Sequence, residues 1–274
     1  MITIHPSNKL LLIDSSYFVF YRFYATYNWY SLQKKETDGG TNISPEHVMS
    51  DPVFVEKYDK MFERTLRELF NTYKCDSWED VVFVMDAPRD TIWRNALFRD
   101  YKISRHETHT RFNKNIFKHT YDVLLPKLRE CYKFQTLGVP ELEADDIISV
   151  IVSHVSPRDI VIITNDNDYI QLKDSHTMIY NLQGKDIASR VNMDPEKYLQ
   201  VKIIMGDKSD CIPSIMKKVG PKTALKMVED PAYLKTFLDK HPTALEQYEV
   251  NRRLIDMSYI PEMLKSRVSS LLKD

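Results

Sequence analysis

The hydrophobic pattern of the chain changes period several times, and those changes mark its elements. Lys9-Leu10-Leu11-Leu12-Ile13-Asp14 is an unbroken apolar run closed by an acid. Val81-Val82-Phe83-Val84-Met85-Asp86 repeats that plan, and Asp159-Ile160-Val161-Ile162-Ile163-Thr164 runs into Asn165-Asp166-Asn167-Asp168. Short apolar runs without alternation predict strands covered on both faces. Between them the period lengthens. Residues 17–30 hold nine aromatics, and Tyr17, Phe20, Tyr21, Tyr24 and Tyr27 fall at helical spacing, a stripe that reads mainly as core packing. Residues 31–52 contain Asp38-Gly39-Gly40, Ser44-Pro45 and Asp51-Pro52 and predict a loop or a poorly ordered insertion. Helical periodicity returns over 53–74 and 116–131, and residues 243–272 read as helical segments parted at Ile260-Pro261.

Strands alternating with helices predict an α/β fold with a mostly parallel central sheet and helices on both faces. Ligands of such sheets bind outside the carboxyl ends of the strands, so Asp14, Asp86, Asp166 and Asp168 should converge there. Glu141-Leu142-Glu143-Ala144-Asp145-Asp146 packs four carboxylates into six residues ahead of Ile147-Ile148. A helix opening near Glu143 would put Glu143 and Asp146 on one face at i,i+3 with Asp145 beside them. A helix N-terminus favours one or two acids, and a single strand-terminal Asp is ordinarily a turn former. Three strands ending in Asp, joined by an acidic helix start, exceed what turns require. Carboxylates converging on one point repel unless a cation sits among them. Asp207 and Asp210 in Met205-Gly206-Asp207-Lys208-Ser209-Asp210 add two acids, in a stretch that also reads as an Asp-rich turn.

Charge sharpens this picture. The net charge of the 274 residues is −1, yet residues 89–118 hold eight Lys or Arg and three acids, a local +5. Setting the nine candidate carboxylates aside leaves 30 acids against 38 Lys and Arg, a formal +8. A basic surface around an acidic hole suits an enzyme acting on a polyanion. Val219-Gly220-Pro221-Lys222-Thr223-Ala224, flanked by Lys217, Lys218 and Lys226, predicts a hairpin whose free N–H groups and ammonium groups can hold a phosphate. Cys75, Cys131 and Cys211 form no CxxC pair, which argues against zinc or a disulfide framework. No apolar run is long enough for a membrane span, and Leu10-Leu11-Leu12-Ile13 is too short for a signal peptide. A soluble intracellular protein is expected. Arg22 in the aromatic helix reads as a side chain lying over core, and His106, His109 and His119 as surface or nucleic-acid-facing groups.

The ordered set LLLIDSS, VFVMDAP, LEADD, TNDND, MGDKSD and VGPKTA resembles the structure-specific 5′ nucleases. That superfamily includes flap endonucleases, the 5′-to-3′ exonuclease domains of bacterial DNA polymerases and phage-type ribonuclease H. Ile92-Trp93-Arg94 through Tyr101-Lys102 and Arg105, and Asn251-Arg252-Arg253-Leu254-Ile255-Asp256, are most similar to the phage-type branch. The resemblance implies that Asp14, Asp86, Glu143, Asp145 and Asp146 surround a first divalent metal. Asp166, Asp168, Asp207 and Asp210 would extend to a second. Mg²⁺ is implied, with Mn²⁺ able to substitute. Lys102 and Arg105 would stand at the base of a helical arch near 89–120, close to the scissile phosphate, with Arg94 also in contact with nucleic acid. Residues 103–120 would be the arch itself. Lys218, Gly220, Lys222 and Thr223 would grip duplex in a helix–hairpin–helix-like motif. Such hairpins often hold a monovalent cation such as K⁺, but Lys218 stands where the family usually has the first glycine. The implied organisation is an α/β nuclease domain over 1–200 and a C-terminal helical DNA-binding region over 201–274. The implied substrates are 5′ ends, flaps or nicks of DNA and RNA–DNA duplex, acted on by a monomer beside replication proteins, with no membrane partner.

The chemistry is consistent without the resemblance. Hard oxygen ligands suit Mg²⁺ or Mn²⁺, and two such ions about 4 Å apart assist phosphodiester hydrolysis. Two other readings stand beside it: a DNA-binding module of the same fold without catalysis, and another acid-dependent phosphoryl-transfer enzyme such as a phosphatase or a compact ribonuclease.

Overall fold

The computed structural model describes residues 1–4, 9–37, 44–104, 114–155 and 158–273. Seven short strands are present among them: β1 (Ile2–Thr3), β2 (Leu10–Asp14), β3 (Val81–Met85), β4 (Gln135–Gly138), β5 (Ile160–Ile163), β6 (Thr177–Tyr180) and β7 (Leu272–Lys273). Five form one sheet in the order β4-β3-β2-β5-β6, and every neighbouring pair is parallel. β1 pairs with β7 apart from it. The expected parallel α/β architecture is therefore present.

The apolar runs form strands because they have a core on each side. Leu10, Leu12, Val82, Val84, Ile160 and Ile162 point into one buried cluster with Ile147, Ile151, Ile203 and Leu254. Leu11, Ile13, Val81, Phe83, Val161 and Ile163 point into the other, which is aromatic and includes Phe18, Phe23, Phe54, Tyr58 and Phe62. Each such side chain contributes about 1.5–3 kcal/mol when fully buried. A strand with both faces covered has no polar positions, which is why the pattern is continuous.

The aromatic layer is carried by α1 (Ser15–Thr37) and α2 (Pro52–Thr72). Helix α1 runs well into the stretch expected to be loop, and the rest of that stretch includes the Asp51 cap, whose side chain accepts from Val53 N–H. The buried face of α1 also differs from the expected stripe. Phe18, Val19, Phe23, Thr26 and Tyr30 are buried, whereas Tyr24 is exposed and Tyr17 and Phe20 reach a cavity. With aromatics at nine of fourteen positions, sequence spacing alone could not single out one face. Arg22 is buried and donates to Thr65 Oγ1 at 2.7 Å.

Beyond β3 come α3 (Arg94–Leu97), α4 (Asn115–His119) and α5 (Leu125–Tyr132), the last two joined by a π turn over Thr120–Leu124. Helix α6 (Ala144–Val155) follows β4. The remaining helices are α7 (Pro195–Met205), α8 (Pro221–Glu229), α9 (Pro231–Lys240), α10 (Pro242–Ile255) and α11 (Glu262–Ser269). Residue 200 lies inside α7, and the C-terminal helices share the aliphatic core with the sheet. Cys75, Cys131 and Cys211 are free thiols. No described helix is long and apolar enough to cross a membrane.

Candidate active site

Strand register sets the site. Asp14 ends the central strand β2, opposite Val84 of β3, so its carboxylate stands at the carboxyl edge of the sheet. Asp86 follows β3 and accepts from Ala144 N–H at 2.8 Å, which ties the start of α6 to the same edge. Beyond β5, Asp166 accepts from Asp168 N–H at 2.9 Å in a tight turn that sets both acids. The loop after α7 adds Asp207, which accepts from Ser209 N–H at 2.8 Å. These segments border an open cavity of about 1320 Å³, lined by Asp14, Asp86, Glu143, Asp145, Asp166, Asp168 and Asp207 together with Lys102 and Lys202.

Two groups of carboxylates stand out. Oxygens of Glu143, Asp145 and Asp146 lie within 4.8 Å of one another, as do oxygens of Asp168, Asp207 and Asp210. The first group rests on a buried clamp. Arg94, 2% exposed, donates two hydrogen bonds of 2.8 Å to Asp146 and one of 3.2 Å to Glu143. Trp93 Nε1 donates to Asp146 at 2.9 Å, and Asp146 also accepts from Glu143 N–H. Asp146 therefore closes a capping arrangement at the start of α6. It does not border the cavity, whereas Asp145 does. Lys102 donates to Glu143 at 2.5 Å and lies 3.6 Å from Asp210, so it spans both groups. Its backbone is left-handed, φ 54°, pinned by Lys102 N–H donating to the Asp210 carbonyl at 2.9 Å. Such strain persists only where the surroundings fix it.

The electrostatics are those of crowded acids. Burial and the nearby Asp86 and Asp166 push Asp14 up to about 7, against hydrogen bonds from Tyr17 N–H and Thr164. Burial and Asp168 raise Asp166 to about 6. Burial, Asp146 and Glu143 raise Asp145 well above its ordinary value, against the opposing charges of Arg94 and Lys102. Burial also opposes the charge of Glu143, but Lys102 and Arg94 hold its carboxyl below its ordinary value. Asp207 is partly buried, yet Lys202 and Ser209 bring it down to about 2. Asp14, Asp145 and Asp166 are thus short of positive partners and supply only hard oxygen donors, a set that fits a divalent cation such as Mg²⁺ or Mn²⁺.

Residues 9–205 match the family described as 5′-3′ exonuclease, N-terminal resolvase-like domain. The chain belongs to that family. This exonuclease-family chain is 26% identical over 280 residues to DNA polymerase I of Lactococcus lactis subsp. cremoris, a match covering 94% of the chain and 28% of that protein. It therefore spans little more than a quarter of the length of such relatives. It is 23% identical over 236 residues to a 5′-3′ exonuclease of Buchnera aphidicola, covering 81% of this chain and 70% of that one. Its fold is similar to the bacteriophage T5 flap endonuclease solved as a pseudo-enzyme-product complex with DNA and metal ions, with a TM-score of 0.67, 15% identity, and coverage of 96% and 97%.

Seven of the nine acids anticipated in this exonuclease-family sequence line the cavity, and Asp146 and Asp210 stand outside its lining. Arg94, anticipated as a nucleic-acid contact, is instead buried, with its Nε donating to the Leu254 carbonyl at 2.8 Å, and has no surface to offer a phosphate. Lys218 and Lys222 are exposed, Gly220 precedes the first turn of α8, and Thr223 is half-buried. Lys218 adopts φ 71°, the left-handed conformation that glycine takes most readily. The loop it occupies joins α7 to α8 and carries one 3₁₀ turn, Lys208–Asp210. Arg105 and residues 106–113 of the anticipated arch lie outside the described residues.

Sequence reasoning missed three contributors. Trp93 and Lys202 were legible only as an aromatic and a lysine near acids. Gln171 joins the Asp168 carbonyl (2.9 Å) and the Ile255 carbonyl (3.2 Å), and accepts from Met257 N–H at 2.9 Å. No local pattern signals such a long-range link.

Proposed function

We propose that the chain is a divalent-metal-dependent 5′ nuclease that hydrolyses phosphodiesters at 5′ ends or flaps of DNA and of RNA-primed duplex. The observation that carries this reading is the convergence of seven carboxylates from five segments on one cavity, with the Lys102 ammonium between the two groups. Glu143 and Asp145, with Asp14 and Asp86, would hold a first Mg²⁺. Asp168 and Asp207, with Asp166 and Asp210 near them, would hold a second. Bound there, the ions would supply activation of the attacking water and stabilisation of the leaving oxygen.

The remaining work falls to the chain itself. Arg94 and Trp93 hold Asp146, and through it the opening turn of α6, so that Asp145 presents a rigid donor. Lys102 is placed to stabilise charge growing on the phosphate, as fixed cations do in phosphoryl transfer. Tyr17 and Phe20 give the same cavity an aromatic wall, suited to stacking a base. The exposed Lys217, Lys218, Lys222 and Lys226 offer duplex phosphates a basic landing surface.

The test is cleavage of a 5′-labelled flap duplex in Mg²⁺ by the wild type, Asp145→Asn and Asp168→Asn. Short 5′ products from the wild type, lost in both variants, are expected. Binding without cleavage on flap, nicked and RNA-primed duplex would favour a DNA-binding module, and turnover of a simple phosphomonoester would favour a phosphatase.

A further inference from the structure

Lys202 lies in the last turn of α7 and faces the cavity. Its ammonium donates a short hydrogen bond to Asp168 and one of 2.8 Å to Asp207, with its side chain 14% exposed. These are two of the three carboxylates whose oxygens gather within 4.8 Å. Burial works against this ammonium, but the two carboxylates hold it firmly charged. The neighbouring Lys102 behaves differently, since it bridges Glu143 and Asp210 and touches neither Asp168 nor Asp207 through a salt bridge.

We propose that Lys202 is a tethered cation standing in the second metal position, so that a divalent ion loads there only by exchange with its ammonium. The inference rests on the metal reading given above. A divalent ion such as Mg²⁺ must approach carboxylate oxygens to about 2.0–2.1 Å. An ammonium hydrogen-bonded between the same two oxygens fills that space, and two cations so close repel strongly in a partly buried site. In the first group the ammonium of Lys102 bonds one carboxylate, Glu143, and Arg94 holds Asp146 and Glu143 from behind the cavity, so neither cation bridges Asp145 and Asp14. The two positions should therefore load unequally, the first readily and the second against an internal competitor. In the metal-free protein the same lysine keeps Asp168 and Asp207 from repelling each other.

Calorimetric titration with Mn²⁺ in the absence of DNA tests this, using the wild type, Lys202→Met, Lys202→Gln, Lys202→Arg and Asp168→Asn. In both neutral variants the weaker Mn²⁺ should bind at least about tenfold tighter than in the wild type. Lys202→Arg, which keeps the charge, should stay near wild type. Without metal the neutral variants should melt below wild type, and Mn²⁺ should raise their melting temperature by more. Unchanged or weaker second-site binding in folded neutral variants, beside the expected loss in Asp168→Asn, overturns the exchange and leaves the metal reading intact. Absence of Mn²⁺ binding in every protein overturns both. Having Met and Gln side by side guards against a folding defect particular to one side chain.

Discussion

The two acid groups at the sheet edge are built to different standards. The first, at the start of α6, is anchored by a buried arginine with two parallel bonds to Asp146, an indole N–H, and the backbone link from Ala144 to Asp86. The second sits on a turn after β5 and a loop after α7, and its main counter-charge is a lysine on a flexible stem. A planar guanidinium fixes geometry, whereas an ammonium supplies charge without holding direction. One group thus has its key carboxylate held by a guanidinium and an indole, and the other has two turn-borne carboxylates bridged by an ammonium. For the proposed metal-dependent activity, the first arrangement suits holding a metal and the second suits taking one on.

The largest test of this contrast is Arg94→Ala. It leaves Asp146 buried without its partner, and denaturant unfolding should show a loss of about 3–5 kcal/mol. A loss below about 1 kcal/mol would mean that the clamp is not what fixes the first group. Lys102→Ala should follow, with turnover on a flap substrate reduced about 100-fold and modest change in binding. Unchanged turnover would remove Lys102 from the chemistry.

A smaller effect is the pH dependence of the metal-free protein. Asp14 has an ordinary value of 3.8 and is raised to about 7 in the folded state. The folded protein therefore binds more protons than the unfolded chain between those values, so stability falls as pH rises through that window and levels off above it. Asp14→Asn should flatten this decline, read as melting temperature against pH in the presence of a chelator. An equally steep decline in the variant would assign it elsewhere, Asp166 being the next candidate. The smallest effect belongs to the hairpin: Lys222→Ala should reduce the slope of log affinity for duplex against log salt by about 1, leaving cleavage chemistry alone.

Much of this was readable from the chain. Leu10–Ile13 and Val81–Met85 declared strands because both faces are buried, and the acids at their ends predicted the site. The edge strands Gln135–Gly138 and Thr177–Tyr180 escaped notice because short strands bearing Gln and Thr carry no continuous apolar signal. Asp146 looked like its neighbours Glu143 and Asp145, and only the fold shows that Arg94, about fifty positions earlier, takes both its oxygens. Lys202 and Asp207 are five apart, a spacing that does not place two residues on one helix face. Their pairing needs the chain reversal at Gly206, whose positive φ and close approach to the Ile212 and Pro213 carbonyls leave no room for a side chain.

The links between the C-terminal helices and the sheet edge bear on modularity. Leu254 receives Arg94, Gln171 bridges Asp168 to Ile255 and Met257, and Asn251 donates to the Ile203 and Pro213 carbonyls on either side of the Asp207 loop. These helices are scaffolding for the carboxylates as much as a surface for duplex. A chimera that grafts residues 201–274 from a distant homologue would import a new grip and misalign the acids, unless the Arg94, Gln171 and Asn251 contacts were transplanted with it. Recombination within this fold is therefore best confined to surface segments that make none of these bonds.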